Sequence, residues 1–153
     1  MIPDLIPSTP DCEITTTRVF NVPRELAFAA WANPDHLSNW WGPAGFTNTF
    51  NEFDFREGGK WNFIMHGPDQ GNYANECEFI KIEKPASIAW KRFTKPLFLG
   101  AVTFEEVAPD KTEIVFKQIF SSADECNKVK AFAGDKNEEN FDRLEQELGK
   151  MKG

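Results

Sequence analysis

Six short segments between residues 47 and 120 have the alternation of β-strands, and turns rich in Gly, Pro and Asp separate them. Strands with such short connections pair antiparallel, because a parallel pair needs a crossover of a dozen or more residues. The predicted strands cover residues 47–55, 60–66, 73–83, 87–93, 99–107 and 112–120. In the third of them the alternation slips between Phe79 and Ile82, which predicts a bulge.

The segments on either side of this run predict one further strand and three helical stretches. Residues 12–20 are rich in β-branched side chains, and Pro23 opens a helix that ends near residue 32. A second short helix follows over residues 35–40. Near the C-terminus, Ser122 and Glu125 have the spacing of a capping box, and we expect the helix that begins there to be interrupted at Gly134.

An exposed apolar face is unfavourable, so another element must cover the apolar face of the sheet. The final segment, residues 137–151, is the only sizeable element left to do so. Its apolar residues recur at helical spacing; they are Phe141, Leu144 and Leu148. The predicted class is therefore α+β, with an antiparallel curved sheet of six or seven strands around a long C-terminal helix. We expect residues 1–11 to form an extended lead-in and residues 12–153 a single domain.

Composition and charge limit the partners. The net charge of −7 disfavours binding to nucleic acid or to an anionic membrane surface. No apolar run approaches the ~20 residues that a helix needs to span a bilayer. The three cysteines are widely spaced and include no C-x-x-C, which favours a reducing cytoplasm. The two histidines lie far apart and form no Cys/His cluster, so we expect no metal and no cofactor.

A series of short motifs resembles the homology domain of the activators of the heat-shock-protein-90 ATPase. The motifs are RVF at 18–20, PREL at 23–26, FAAW at 28–31, NPDHL at 33–37, WWGP at 40–43, GGKW at 58–61, GPD at 67–69 and NEENFDRL at 137–144. This family is part of the START-like, pollen-allergen and polyketide-cyclase superfamily. The resemblance implies the helix-grip fold and a cavity between the sheet and the long helix. It does not imply a reaction.

The 15 Phe and 5 Trp residues could line such a cavity or fill a solid core, and the residues alone leave both open. Arg92 and Gln118 share inward faces with aromatic residues, so each needs a partner, either a ligand oxygen or water at the strand end. Trp41, in the loop after the second helix, is a candidate for the cavity mouth. The candidate ligand-binding residues are Phe28, Trp31, Trp41, Trp61, Phe63, Met65, Trp90, Arg92, Phe104, Phe116, Gln118, Phe141 and Leu144.

No catalytic constellation is evident in the sequence. It contains no G-x-S-x-G elbow, phosphate-binding glycine loop or H-E-x-x-H, and Cys77 lies between two glutamates that oppose thiolate formation. The first hypothesis is therefore non-enzymatic binding of a small hydrophobic molecule. The alternatives are a protein-interaction module that contacts a chaperone, as in a stress response, and an enzyme like the polyketide cyclases and aromatases. The sequence determines neither the ligand nor the oligomeric state.

Overall fold

The computed structural model describes residues 13–42, 44–94, 97–120 and 122–152, and only the backbone of residues 131–135. The lead-in predicted for residues 1–11 lies outside these ranges. The elements in chain order are β1 (Glu13–Phe20), α1 (Arg24–Ala32), α2 (Pro34–Trp40), β2 (Thr47–Phe53), β3 (Lys60–His66), β4 (Asn72–Glu83), β5 (Ser87–Arg92), β6 (Leu99–Ala108), β7 (Lys111–Ile119) and α3 (Ala123–Lys152). Every predicted strand and helix is therefore present, with small shifts at the ends.

The seven strands form one antiparallel sheet in the order β1-β7-β6-β5-β4-β3-β2. From β2 to β7, strands that are consecutive in sequence are neighbours in the sheet, as the short turns predicted. Strand β1 lies at the edge of the sheet, beside β7. The register of β4 against β5 shifts between Phe79 and Lys81, where the slip in alternation predicted a bulge. The helix-grip fold and its α+β class are confirmed.

The C-terminal helix α3 is continuous over 30 residues, or about 45 Å. The Ser122 hydroxyl accepts a hydrogen bond from the backbone N–H of Glu125 at 3.2 Å, which caps the helix as predicted. The predicted interruption at Gly134 is wrong, because the backbone stays helical there. One glycine costs a helix about 1 kcal/mol, and the turns on both sides outweigh that cost.

The inner face of the sheet, α1, α2 and the C-terminal half of α3 enclose one large aromatic core. Phe141, Leu144 and Leu148 carry α3 into it, each with 1% or less of its surface exposed. A second, small cluster lies under the first turns of α3, where Cys126 and Val129 pack with residues from β1 and the end of β7. The long helix is thus anchored to the rest of the fold at two separate places.

Candidate functional site

The aromatic rings on the inner face of the sheet pack against one another. The ring centroids of Trp41 and Trp61 lie 5.2 Å apart, and Trp90 lies 5.6 Å from Trp61 and 6.0 Å from Trp41. The remaining apolar candidates that belong to the same cluster, all with 3% or less of their surface exposed, are Phe28, Trp31, Phe63, Phe104, Phe116, Phe141 and Leu144. Packing of this kind corresponds to the solid-core alternative for this part of the inner face.

A cleft of about 560 Å³ opens at the end of the inner face, beyond this aromatic cluster. Met65 on β3 and Tyr73 on β4 are cross-strand partners, and Asn75 lies two residues further along β4 on the same face. Arg92 ends β5 two residues after Trp90, so it shares the face as well. The residues that line the cleft are Phe46, Met65, Asn72, Tyr73, Ala74, Asn75 and Arg92.

The polar side of this cleft includes the guanidinium of Arg92 and the amides of Asn72 and Asn75. Arg92 donates a hydrogen bond from Nη1 to Oδ1 of Asn75 and another from Nε to the carbonyl oxygen of Thr94, at 2.9 Å. Asn75, with 2% of its surface exposed, is held in turn because its Nδ2 donates to the carbonyl oxygen of Tyr73 at 2.9 Å. Burial lowers the pKa of Arg92, but an arginine keeps its charge at neutral pH.

Gln118, the other predicted polar candidate, has a partner on the long helix. Its Oε1 accepts a hydrogen bond from Nδ2 of Asn137 at 3.0 Å. Gln118 is half-buried and ties β7 to α3, and it is not among the residues that line the cleft. The protein itself therefore supplies a partner that the sequence could only assign to a ligand or to water.

The rim of the cleft is built from the β3–β4 turn and the loop before β2. The Phe46 and Tyr73 rings lie 6.1 Å apart, and the Tyr73 hydroxyl donates to Oδ2 of Asp69 at 3.0 Å. A hydrogen bond from the Gly71 backbone, followed by the one from Tyr73, lowers the pKa of Asp69. A side chain on Gly71 would collide with the Tyr73 hydroxyl, so the turn fits closely around this ring.

The loop after α2 is held against the cleft by α3. Gly42 has φ +98°, which favours glycine, and a Cβ there would lie 2.7 Å from Cε of Met65. Its N–H donates to Oδ1 of Asn140 at 3.1 Å. Of the two neighbouring indoles, Trp40 is fully buried and donates from Nε1 to the carbonyl oxygen of Ala30, whereas Trp41 is 8% exposed. Trp40 is therefore a packing residue that joins α2 to α1.

Sequence reasoning missed five of the residues that line the cleft, namely Phe46, Asn72, Tyr73, Ala74 and Asn75. The alternation of β4 could have revealed two of them, because Tyr73 and Asn75 share a face with Cys77 and Phe79. Phe46 lies in a loop and has no periodic signal. Its place in the cleft follows only from the way the loop folds over β3.

The two histidines have structural partners, and the one cysteine near the cleft is buried. His36 contacts Oε2 of Glu147 through Nδ1 at 2.8 Å, and His66 lies between Thr49 and Asn72. Burial raises the pKa of the Cys77 thiol to about 12, so the thiol stays protonated. Within the described residues, no group of three or more His, Cys, Asp or Glu side chains could hold a metal ion, and no helix is long and apolar enough to cross a membrane.

A curved sheet that grips a long C-terminal helix is the fold of the SRPBCC superfamily, which supports ligand-binding or interaction domains in general. The family model described as "Activator of Hsp90 ATPase homolog 1-like protein" matches residues 21–149. The chain belongs to this family, as its sequence motifs indicated.

Solved structures with the same fold come from several bacteria. A crystal structure from Nitrosomonas europaea has a TM-score of 0.85 at 14% identity, and the match covers 95% of this chain and 99% of the other. A solution structure from Arthrobacter aurescens has a TM-score of 0.84 at 20% identity, and the match covers 92% of this chain and 87% of the other. A crystal structure of the AHSA1 protein from Silicibacter pomeroyi has a TM-score of 0.72 at 17% identity, and the match covers 90% of this chain and 97% of the other. A search of curated proteins finds no significant match.

Proposed function

We propose that the chain binds a small hydrophobic molecule in the cleft at the open end of the sheet, without a cofactor and without chemical turnover. The observation that carries this proposal is the cleft of about 560 Å³ with Phe46, Met65 and Tyr73 on its walls and Arg92 and Asn75 on its polar side. Ligand sites of small molecules fall in this range of volume and combine mostly apolar walls with a few placed polar groups.

The packed aromatic cluster has a supporting role in this proposal. Of the candidates predicted from sequence, Met65 and Arg92 would touch the ligand. The tryptophans and phenylalanines behind them would form a rigid floor, because their rings already contact one another. A rigid wall lowers the cost of binding, since fewer side chains have to be ordered when the ligand enters.

Binding rather than turnover is favoured by the chemistry of the nearest nucleophile. Cys77 is the cross-strand partner of Arg92, yet its pKa near 12 keeps it a thiol at physiological pH. A thiol reacts as a nucleophile in its thiolate form. Neither histidine lines the cleft: His36 contacts Glu147, and His66 contacts Thr49 and Asn72, of which only Asn72 lines the cleft.

A thermal-shift and calorimetric titration with neutral apolar probes tests this proposal. We use decanamide and 2-naphthylacetamide and expect both to raise Tm, because a ligand that binds only the folded state stabilises it. Met65→Gln, which keeps the length of the side chain but makes it polar, should weaken both about tenfold, or ~1.4 kcal/mol. Val107→Gln is the matched control, since Val107 is an exposed apolar residue (50%) near the end of β6 that lies opposite its Leu99 end.

The absence of any Tm shift with either probe would contradict the proposal. Equal losses of affinity in Met65→Gln and Val107→Gln would also contradict it, because the two variants share only the change from an apolar to a polar side chain. A loss confined to Met65→Gln places the probe at the cleft.

A protein-interaction module is the second candidate, and one surface feature favours it. Phe93 and Leu97 are 46% and 49% exposed and border a groove of about 430 Å³ whose wall includes Leu99 and Ile119. Exposed apolar patches of this kind mark interaction sites. A chaperone that binds here should be captured by the native protein and lost with Phe93→Ser combined with Leu97→Ser, while probe binding at the cleft is unchanged.

A further inference from the structure

We propose that the free edge of β1 binds an extended segment of another protein as an eighth strand of the sheet, and that this segment carries lysine or arginine on the side that faces α3. Two features carry the inference, namely an uninterrupted edge strand and three carboxylates of α3 that meet β1 at Arg18. No residue of β1 or α3 lines the cleft, so this surface is separate from the proposed ligand site.

Strand β1 has one side open. It pairs with β7 over its whole length, from Glu13 to Phe20, and among the described residues no strand pairs with its other side. Such an edge presents a row of backbone N–H and C=O groups to which another strand can hydrogen-bond. Addition of a strand to a sheet edge is a recurring way in which proteins bind extended segments.

The edge of β1 is not blunted by its own sequence. Its register against β7 has no bulge, and the strand contains no proline. The side chains on its outer face are neutral and β-branched, namely Thr15, Thr17 and Val19, and Val19 is 47% exposed. Bulges, prolines and exposed charges are the usual means by which proteins keep other strands away from an edge, so β1 remains competent to pair.

The opposite edge of the sheet, β2, is protected. Its register against β3 shifts between Phe50 and Glu52. Asn48 of β2 also donates from Nδ2 to the carbonyl oxygens of Ser38 at 3.1 Å and Trp41 at 2.9 Å, which ties this edge to the end of α2. A bulge and a covering element are both protective, so the contrast singles out β1 as the edge that can accept a strand.

The side of α3 next to β1 sets the charge of the partner. Glu138, Asp142 and Glu145 lie on one face of α3 and meet Arg18 of β1 at 2.8, 2.8 and 3.2 Å. Their side chains are 56%, 65% and 67% exposed, whereas that of Arg18 is 23% exposed. One guanidinium thus faces three carboxylates that remain open to solvent, and a strand added about 4.8 Å from β1 would bring its own side chains to them.

The charge also decides among the possible occupants. A second copy of this chain would bring the same acidic face of α3 to the edge, and two chains with a net charge of −7 repel each other. Residues 1–12 contain no lysine or arginine, so they do not supply the complementary charge. A segment of another protein with basic residues at alternate positions matches both the edge and the charge.

The experiment titrates the protein with two capped peptides, TKVTVKT and TQVTVQT, and follows its amide NMR signals at low ionic strength. The lysines of the first peptide share one face, with a neutral residue between them that can lie opposite Arg18, and the other face is threonine and valine. The wild-type protein should bind TKVTVKT at least about tenfold more tightly than TQVTVQT, and the shifted amides should lie in β1. The advantage should shrink in 1 M salt.

Two N-methylated forms of TKVTVKT separate strand addition from attraction of charge alone. In an added strand, alternate residues direct their backbone N–H toward the sheet and the others direct it away. One form is methylated at the backbone nitrogens of both lysines and the other at those of both valines, so the methyl groups of one form fall between the strands. That form should bind at least about tenfold more weakly, and the other should stay within about threefold of the parent peptide.

Two triple variants with the same change in net charge test the acidic face of α3. The first neutralises it with Glu138→Gln, Asp142→Asn and Glu145→Gln. The control neutralises three exposed carboxylates of β6 and the turn that follows, with Glu105→Gln, Glu106→Gln and Asp110→Asn. The first should bind the lysine and glutamine peptides about equally, and the control should keep at least half of the wild-type preference.

Four outcomes would overturn the inference. Equal binding of the two peptides by the wild type refutes a basic partner, and equal binding of the two N-methylated forms refutes strand addition. Binding that shifts no amide of β1 places the peptide elsewhere. Equal losses in the two triple variants show that net charge alone attracts the peptide. Folding of each variant is checked by circular dichroism, and the wild-type titrations decide the question if a variant does not fold. Binding of apolar probes at the cleft is unaffected by any of these results.

Discussion

Arg143 on α3 donates a hydrogen bond from Nη1 to the carbonyl oxygen of Gly42 at 2.9 Å. The same guanidinium reaches the carbonyl oxygens of Trp41 at 3.3 Å and Asn39 at 2.9 Å. One side chain thus satisfies three backbone acceptors at the end of α2 and in the loop that follows. Because Gly42 packs against Met65, the position of α3 determines one wall of the cleft.

Replacement of Arg143 by Met should therefore destabilise the protein by about 2–3 kcal/mol, because bonds from a charged donor are lost and half-buried carbonyl groups remain without it. Arg143→Lys should recover only part of this, since an ammonium cannot contact three carbonyl oxygens as a planar guanidinium does. Urea unfolding measures both values. Lys150→Met, at an exposed position of the same helix, is the control and should change the free energy of unfolding by less than about 0.5 kcal/mol.

Gly100 lies directly under the Trp90 ring. A Cβ at this position would fall 2.6 Å from Nε1 of that indole, and the ring, 2% exposed, is held by its neighbours. We expect Gly100→Ala to destabilise the protein by about 1–3 kcal/mol through overpacking.

Gly149 provides the opposite case in α3. A Cβ there meets nothing within 4 Å, so Gly149→Ala should stabilise the protein by about 0.5–1 kcal/mol, as alanine does in a helix interior. The two variants make the same chemical change, and thermal unfolding compares them directly. Shifts of the same sign in both would contradict the packing of Trp90 on Gly100.

Cys77 should make the protein less stable at alkaline pH. Burial raises the pKa of its thiol from 9.0 to about 12, so the folded state holds the proton more tightly than the unfolded chain. The stabilisation is complete below pH 9 and is lost as the pH rises toward 12, by at most about 1.4 kcal/mol per pH unit. Unfolding of the wild type and of Cys77→Ala between pH 8 and 10.5 measures this loss.

The slope of stability against pH should be shallower in Cys77→Ala. Other groups that titrate in this range are common to both proteins, so they cancel in the comparison. Parallel slopes would show that the thiol is not protected by burial.

Arg18 should dock α3 onto β1 through a salt-sensitive network. Arg18→Gln leaves Glu138, Asp142 and Glu145 to repel one another along one face of α3. We expect a loss of about 1 kcal/mol in dilute buffer that shrinks in 1 M salt, because screening shortens the reach of these charges. Arg56→Gln, in an isolated exposed pair with Asp54, should change the free energy of unfolding by less than about 0.5 kcal/mol at either salt concentration.

The cleft could be predicted only in part, for reasons that differ from residue to residue. Met65 and Arg92 were found because strand alternation puts them on the inner face, and the same argument applied to β4 would have added Tyr73 and Asn75. The pairing of Gln118 with Asn137 joins two elements across the fold, and no local pattern reports such a contact. Gly134 shows the reverse error, since a local preference was outweighed by the length of the helix around it.

The sequence by itself determined the strands, the antiparallel pairing of the six strands joined by short turns, the bulge after Phe79 and the cap at Ser122, because period and turn chemistry are local properties that each segment carries alone. Only the tertiary structure decided which aromatic rings fill the core and where a cleft remains. The extent of the cleft depends on how far α3 covers the inner face and on the hydrogen bonds by which Arg143 and Asn140 hold the loop at Gly42. These contacts form only when segments that are remote in sequence pack together.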